Sequence, residues 1–72
     1  MPSFALHARQ RMTERGITDA DVDAALKHRL GQPRPGDNGR IVVLGYAPGG
    51  RILKIVLTPD EQCIVSVMVR GD

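Results

Sequence analysis

The spacing of hydrophobic positions changes once along this chain, near residue 40. Before that point apolar side chains recur every three or four positions, and after it they recur every two. The first spacing places apolar side chains on one face of a helix, and the second places them on one face of a strand. The pattern therefore predicts a helical first half and a β-stranded second half.

A first helix is predicted over residues 4–15. Ser3 is a favourable N-cap and Gly16 is well placed to end the helix. On a helical wheel, apolar and polar side chains gather on separate sides. The apolar side holds Phe4, Ala5, Ala8 and Met12, and the polar side holds His7, Gln10, Arg11 and Glu14.

A second helix is predicted over residues 19–30. Thr18 with Asp21 resembles a capping box, and basic residues close the helix before Gly31, which suits the helix dipole. Its buried stripe is expected to consist of Val22, Ala25, Leu26 and Leu30.

Three strands follow an irregular loop at residues 31–39, which contains two prolines and three glycines. The runs RIVVLGYA, RILKIVLT and CIVSVMVR are separated by the turn-forming segments PGG and PDEQ, which favours an antiparallel meander. We expect one α+β domain over residues 1–72, with two N-terminal helices packed on a small antiparallel sheet of three or four strands.

Alternation assigns the side chains of these strands to faces. In the last run Cys63, Val65, Val67 and Val69 share one side, and Ile64, Ser66, Met68 and Arg70 share the other. In the middle run Lys54 falls with Ile52, Val56 and Thr58, opposite Arg51, Leu53, Ile55 and Leu57. Lys54 and Ser66 are therefore candidates to meet across the sheet.

Composition narrows the classes of function. The net charge is only +2, but eight of the ten basic residues are arginines, whose planar guanidinium suits phosphate. One cysteine and two histidines are too few soft ligands for a zinc site, so we expect neither a metal nor another cofactor. With no apolar run near the roughly 20 residues that span a bilayer, we expect a cytoplasmic protein without a membrane partner.

The polar side of the first helix carries the candidate chemistry. His7 and Arg11 are four residues apart and Glu14 lies a turn further on, so all three project from one side. Histidine can move a proton near neutral pH, and arginine can hold a phosphate and offset its growing charge. The same spacing is also routine on solvated helix faces, where His7 would have no chemical role. Spacing alone leaves both interpretations open.

Other residues are candidates for contact with a substrate. Tyr46 is the one aromatic residue available to stack on a base, because Phe4 is expected in the core. Arg34 and Arg40 in the loop would extend a basic rim, and Arg70 lies on the less apolar side of the last strand together with Ser66.

The motif S-x-x-x-H-A-R-x-R-M-x-E-R-G-I-T-x-x-D-V, from Ser3 to Val22, resembles the signature of the bacterial family called domain of unknown function 4258. That family in turn resembles the RelE and BrnT toxins and the wider barnase, EndoU and colicin ribonuclease fold. The resemblance implies a RelE-like fold and a metal-independent ribonuclease in which the ribose 2′-hydroxyl attacks the neighbouring phosphate.

The resemblance also implies roles for individual residues. His7 would be the general base or acid, Glu14 its orienting partner, Arg11 and Arg15 phosphate ligands, and Ser66 a hydrogen-bond donor to the same phosphate. Apart from the resemblance, the positions of Lys54, Arg70 and Tyr46 in the sequence make them candidates to complete the substrate-binding surface. Expected partners are RNA, free or on the ribosome, and an antitoxin or immunity protein.

Three hypotheses follow. The first is a toxin-type endoribonuclease in which His7, Arg11 and Ser66 converge in one cleft. The second is a non-catalytic binding module for RNA or protein, with its basic residues spread over a surface. The third is an interaction domain that pairs the open edges of its sheet with another chain.

Overall fold

The computed structural model describes residues 2–70, which form an α+β fold with two helices on one face of a five-stranded mixed sheet. The helices are α1 (Leu6–Arg15) and α2 (Asp19–Lys27), and the strands are β1 (Ser3–Phe4), β2 (Arg34–Pro35), β3 (Ile41–Tyr46), β4 (Ile52–Leu57) and β5 (Cys63–Val69). The spatial order is β1-β5-β4-β3-β2, with β1 parallel to β5 and the other pairs antiparallel. Over the described residues, neither helix is long and apolar enough to cross a bilayer.

The α+β class and the N-terminal helices are as predicted, but the sheet has two more strands than the predicted meander and is mixed. Both additional strands, β1 and β2, contain only two residues, and so few positions cannot display an alternating pattern. They cover only part of the long strands: β4 is central, whereas β1 pairs with Cys63 and Ile64 of β5 alone. The edge-pairing hypothesis therefore does not apply to β4, and for the rest of β5 it stays a prediction.

The helix ends differ from the predicted bounds for reasons of backbone pairing. Ser3 does not cap α1, because its N–H donates to the carbonyl of Gln62 at 3.0 Å as part of β1. The N-cap is Ala5, whereas Gly16 ends the helix as predicted, with φ of 65°. Helix α2 ends at Lys27 and not at residue 30, because the Leu30 N–H donates to the Leu44 carbonyl of β3 at 2.8 Å.

The core lies between the helices and the inner face of the sheet. Its helical side consists of the predicted residues Ala8, Met12, Val22 and Ala25, and its sheet side is led by Val43, Leu53, Ile55, Leu57, Ile64 and Val67. The predicted core residues Phe4 and Leu26 are half-buried and pack against this cluster. Leu53, Ile55 and Leu57 lie on the predicted face of the middle strand, opposite Lys54.

A β-bulge in β5 changes the predicted faces of the last strand. Leu57 pairs with Ile64 and Val56 pairs with Ser66, so Val65 is an extra residue between two regular pairs. The bulge lets Ile64 and Val67 both enter the core although they are three positions apart. The prediction that Ile64 shares the face of Ser66 is therefore wrong, as is the grouping of Val65 with Val67.

Candidate functional site

The outer face of the sheet, on the side away from the helices, holds a cleft of about 490 Å³. We call it the outer cleft. Its polar lining is His7, Asp37, Arg40, Lys54 and Ser66. Its apolar lining is Pro35, Val42, Val56, Val65 and Met68, together with the backbone of Gly36. One helix, the loop after β2 and four strands therefore contribute to this cleft.

His7 reaches the outer cleft because β1 fixes where α1 begins. The Ala5 N–H donates to the Ile64 carbonyl at 2.9 Å, and the first turn of α1 follows directly beside β5. His7 is exposed and lies in this first turn, within reach of the outer side of the sheet. A two-residue strand that sequence patterning does not reveal thus positions the candidate base.

Arg11 links His7 to Glu14 along the exposed side of α1. Its Nε donates to His7 Nε2 at 3.3 Å, and its Nη1 lies 3.4 Å from Glu14 Oε2. In this geometry the Nε2 atom of His7 accepts a hydrogen bond from Arg11. Arg11 itself does not line the outer cleft.

Ser66 and Lys54 face His7 from the sheet. Ser66 lies opposite Val56 and Lys54 lies opposite Met68, so the two polar residues are diagonal neighbours on one face. The predicted proximity of Lys54 and Ser66 thus takes the form of a shared cleft, in which β4 supplies an ammonium group and β5 a hydroxyl.

A second pocket, of about 380 Å³, adjoins the outer cleft and shares Lys54, Pro35 and Val42 with it. Its remaining lining residues are Arg34, Leu44 and Arg70. Lys54 is therefore placed between two concave regions, each with arginine at its margin.

Over the described residues, the basic side chains fall into two groups, according to whether they form a salt bridge. Over residues 2–70, five basic residues form salt bridges, namely Arg9 with Asp19, Arg11 with Glu14, Lys27 with Asp23, Arg29 with Glu61 and Arg51 with Asp21. Of the five that form none within this range, four line the outer cleft or the second pocket, namely Arg34, Arg40, Lys54 and Arg70. Asp37 is the one acidic side chain in either lining, so the outer face attracts anions.

The paired charges have a structural role. Asp21 is buried, and its carboxylate accepts bonds from the Thr18 backbone N–H at 3.0 Å and from Arg51 at 2.8 Å. These bonds hold the pKa of Asp21 below its usual value, with the Thr18 bond as the largest cause. Likewise, the bond from Arg29 at 2.6 Å lowers the pKa of Glu61 and raises that of Arg29.

The predicted site residues thus separate into three groups. His7, Ser66 and Lys54 line the outer cleft, and Arg70 lines the second pocket. Arg11 contacts His7, and Glu14 contacts Arg11, but neither of the two lines the outer cleft. Arg15 at the end of α1 and Tyr46, which is 47 % exposed at the end of β3, line neither concavity.

Asp37 and the lining role of Arg40 were missed by reasoning from the sequence. Arg40 had a signal only as a loop arginine, and Asp37 only as a turn former. The Gly36 N–H donates to the Arg40 carbonyl at 2.7 Å, which folds this loop back over the end of the sheet. Across the described part of the chain, no three His, Cys, Asp or Glu residues cluster in a way that could hold a metal ion.

The sequence of this chain was compared with families of known proteins. The model of the family described as "Domain of unknown function (DUF4258)" matches residues 4–69. The chain belongs to the DUF4258 family. This match covers both helices and almost the whole sheet, and it confirms the family resemblance read from the N-terminal motif. No curated protein and no solved structure gives a significant match, so the further likeness of this DUF4258 domain to RelE and BrnT toxins stays a prediction.

Proposed function

We propose that this DUF4258 domain is a toxin-type endoribonuclease that binds single-stranded RNA on the outer face of its sheet and cleaves it without a metal. The observation that carries the proposal is the convergence of His7, Ser66 and four basic residues without salt bridges in residues 2–70 on one concave face. A binding module with scattered charges would not require this separation of paired and unpaired cations.

The proposed reaction places one RNA phosphate beside Ser66 and Arg40, where a hydroxyl and a guanidinium stabilise its charge. His7 removes the proton from the adjacent 2′-hydroxyl, the 2′-oxygen bonds to phosphorus, and the bond from phosphorus to the 5′-oxygen breaks. The departing 5′-oxygen takes a proton from the Lys54 ammonium group. The products are a 2′,3′-cyclic phosphate and a 5′-hydroxyl, and solvent exchange restores both side chains.

Arg11 would act on His7 in this scheme. Before RNA binds, its bond to Nε2 orients the imidazole ring. When RNA binds, its 2′-hydroxyl replaces Arg11 as the donor to Nε2, which then accepts the proton. Glu14 keeps the guanidinium near the helix surface throughout.

The cellular setting that we propose is a toxin whose activity is held in check by an antitoxin or immunity protein, either free-standing or as part of a larger effector. An acidic partner laid on the outer face would neutralise the four basic residues and block access to His7. Expression of the domain without this partner should therefore arrest bacterial growth, and H7A should relieve the arrest.

The first test is incubation of purified protein with RNA in EDTA. We expect wild type to leave 2′,3′-cyclic phosphate ends and H7A to lose about 100-fold or more in rate, as is usual when a general base is removed.

H28A is the matched control, because His28 is an exposed histidine at the end of α2, outside both concavities. Equal cleavage by H7A and H28A would overturn the assignment of His7. RNA binding without cleavage by any folded variant would support a non-catalytic RNA-binding module instead.

A further inference from the structure

The outer cleft and the second pocket form one continuous surface. They share Lys54, Pro35 and Val42, so the two concavities are direct neighbours. The outer cleft has Arg40 and Ser66 on its polar lining, and the second pocket has Arg34 and Arg70. Two anion-attracting regions thus lie side by side with one ammonium group between them.

The strand register shows how these regions are arranged. In one row across the sheet Arg34 lies opposite Val42, Val42 opposite Val56, and Val56 opposite Ser66. The next row runs from Leu44 through Lys54 to Met68. Successive rows are separated by two residues, or about 6.6 Å. Arg70 lies one row further along β5, where its N–H donates to the Ile52 carbonyl at 2.8 Å.

From this arrangement we infer that the outer face binds two consecutive phosphates of one nucleic-acid strand, so that a trinucleoside diphosphate is the shortest ligand that fills the site. One phosphate occupies the outer cleft near Ser66 and Arg40, and its neighbour occupies the second pocket between Arg34 and Arg70. Lys54 contacts both. The inference rests on the proposed function for the identity of the ligand and adds its minimum length.

The sugar and base that lie between the two phosphates would contact apolar side chains. Val42 lines both concavities, whereas Val56 lines only the outer cleft and Leu44 only the second pocket. Aliphatic side chains offer contact with sugars and bases but no hydrogen bonds that distinguish one base from another. We therefore expect the two-phosphate footprint to depend little on sequence.

Binding of 2′-O-methyl oligouridylates, which lack the attacking hydroxyl and cannot be cleaved, tests the inference directly. We expect the affinity at low salt to rise about tenfold from the one-phosphate to the two-phosphate ligand, and the salt dependence of log K to steepen by about 0.7. Each of R34A and R70A should reduce that rise, and should weaken the two-phosphate ligand more than the one-phosphate ligand. R15A is the matched control, because Arg15 is an exposed arginine outside both pockets.

The outcomes separate this inference from the proposed function. Equal affinity for the two ligands, or equal effects of R15A and R34A, would overturn the two-phosphate footprint even if RNA is cleaved. A clear rise that depends on Arg34 and Arg70, in a protein that cleaves no RNA, would uphold the footprint and reject the nuclease. Circular dichroism of each variant shows whether lost binding reflects unfolding.

Discussion

At the scale of single residues, the position of Arg11 is the most informative departure from the family resemblance. The resemblance implies a phosphate ligand, whereas the Arg11 guanidinium contacts His7 at 3.3 Å and Glu14 at 3.4 Å and does not line the outer cleft. Arg40, from the loop after β2, lines the outer cleft instead. In the proposed reaction, Arg11 is therefore a positioning residue for His7, and Arg40 is the proposed ligand of the phosphate.

This division predicts different kinetic effects for R11A and R40A. R11A should lower kcat about tenfold with little change in KM, because it disturbs the orientation of the proposed base without removing a phosphate contact. R40A should mainly raise KM, because it removes a charge-assisted bond that forms when the phosphate binds. Steady-state cleavage of a short RNA by each variant measures both constants.

R15A serves as the control for loss of an arginine from the same helix, and both of its constants should stay near those of wild type. R11K should recover part of kcat, since an ammonium group can still donate to the imidazole. A rise in KM for R11A as large as that for R40A would contradict the division of roles.

At the scale of elements, the packing of α2 on β3 depends on a position that has no side chain. Gly45 is buried on the inner face of β3, where an added Cβ would overlap the carbonyl oxygen of Ala25. The same region is tied by hydrogen bonds from the Tyr46 N–H to the His28 carbonyl at 3.0 Å and from Leu30 to Leu44. The helix therefore cannot move away without breaking these bonds.

We accordingly predict that G45A lowers the free energy of unfolding by at least about 2 kcal/mol, as expected for overpacking against a fixed backbone. Chemical denaturation followed by circular dichroism measures this change. Y46A is a suitable comparison, since Tyr46 is the next residue and its side chain is half exposed, and it should cost less than about 1 kcal/mol. A G45A protein as stable as Y46A would show that α2 shifts freely.

The elements also show how far sequence reasoning reaches. The capping box of Thr18 and Asp21, the Gly16 stop and the inner face of β4 follow from local chemistry, and all three are present in the structure. The bulge at Val65 does not follow, because alternation is a property of regular pairing and a bulge inserts one residue into it. Strands β1 and β2 exist only through long-range pairing, which no local pattern contains.

The candidate site was predictable to the same extent. The i,i+4 spacing of His7 and Arg11 predicted that they share one side of the helix, and in the structure they are in contact. The placement of His7 on the outer cleft depends on β1, and that of Arg40 depends on the loop after β2. Both require tertiary pairing, so the sequence indicated the chemistry of the site better than its shape.

At the scale of the whole molecule, acidic residues with lowered pKa values link stability to pH. The Thr18 N–H and Arg51 lower the pKa of Asp21, and Arg29 lowers that of Glu61. A carboxylate whose pKa is lower in the folded state binds protons more weakly there than in the unfolded chain. Its stabilising effect is therefore complete above the unfolded-state pKa and disappears as the pH falls through the folded-state value.

We predict that the free energy of unfolding is steady near neutral pH and declines below about pH 4, starting near the ordinary aspartate value of 3.8. D21N should be less stable than wild type by about 1–2 kcal/mol at pH 7, because it weakens the cap and the bond to Arg51. This difference should shrink as acid protonates Asp21 in the wild type, since a neutral carboxyl resembles the amide. Urea denaturation at pH 7, 5, 4 and 3 measures how the free energies of unfolding of D21N and wild type converge.

D23N is the control, because it removes a more exposed carboxylate from the same helix. Its free energy of unfolding, plotted against pH, should stay parallel to that of wild type. A D21N curve that also stays parallel would place the acid sensitivity elsewhere, first at Glu61.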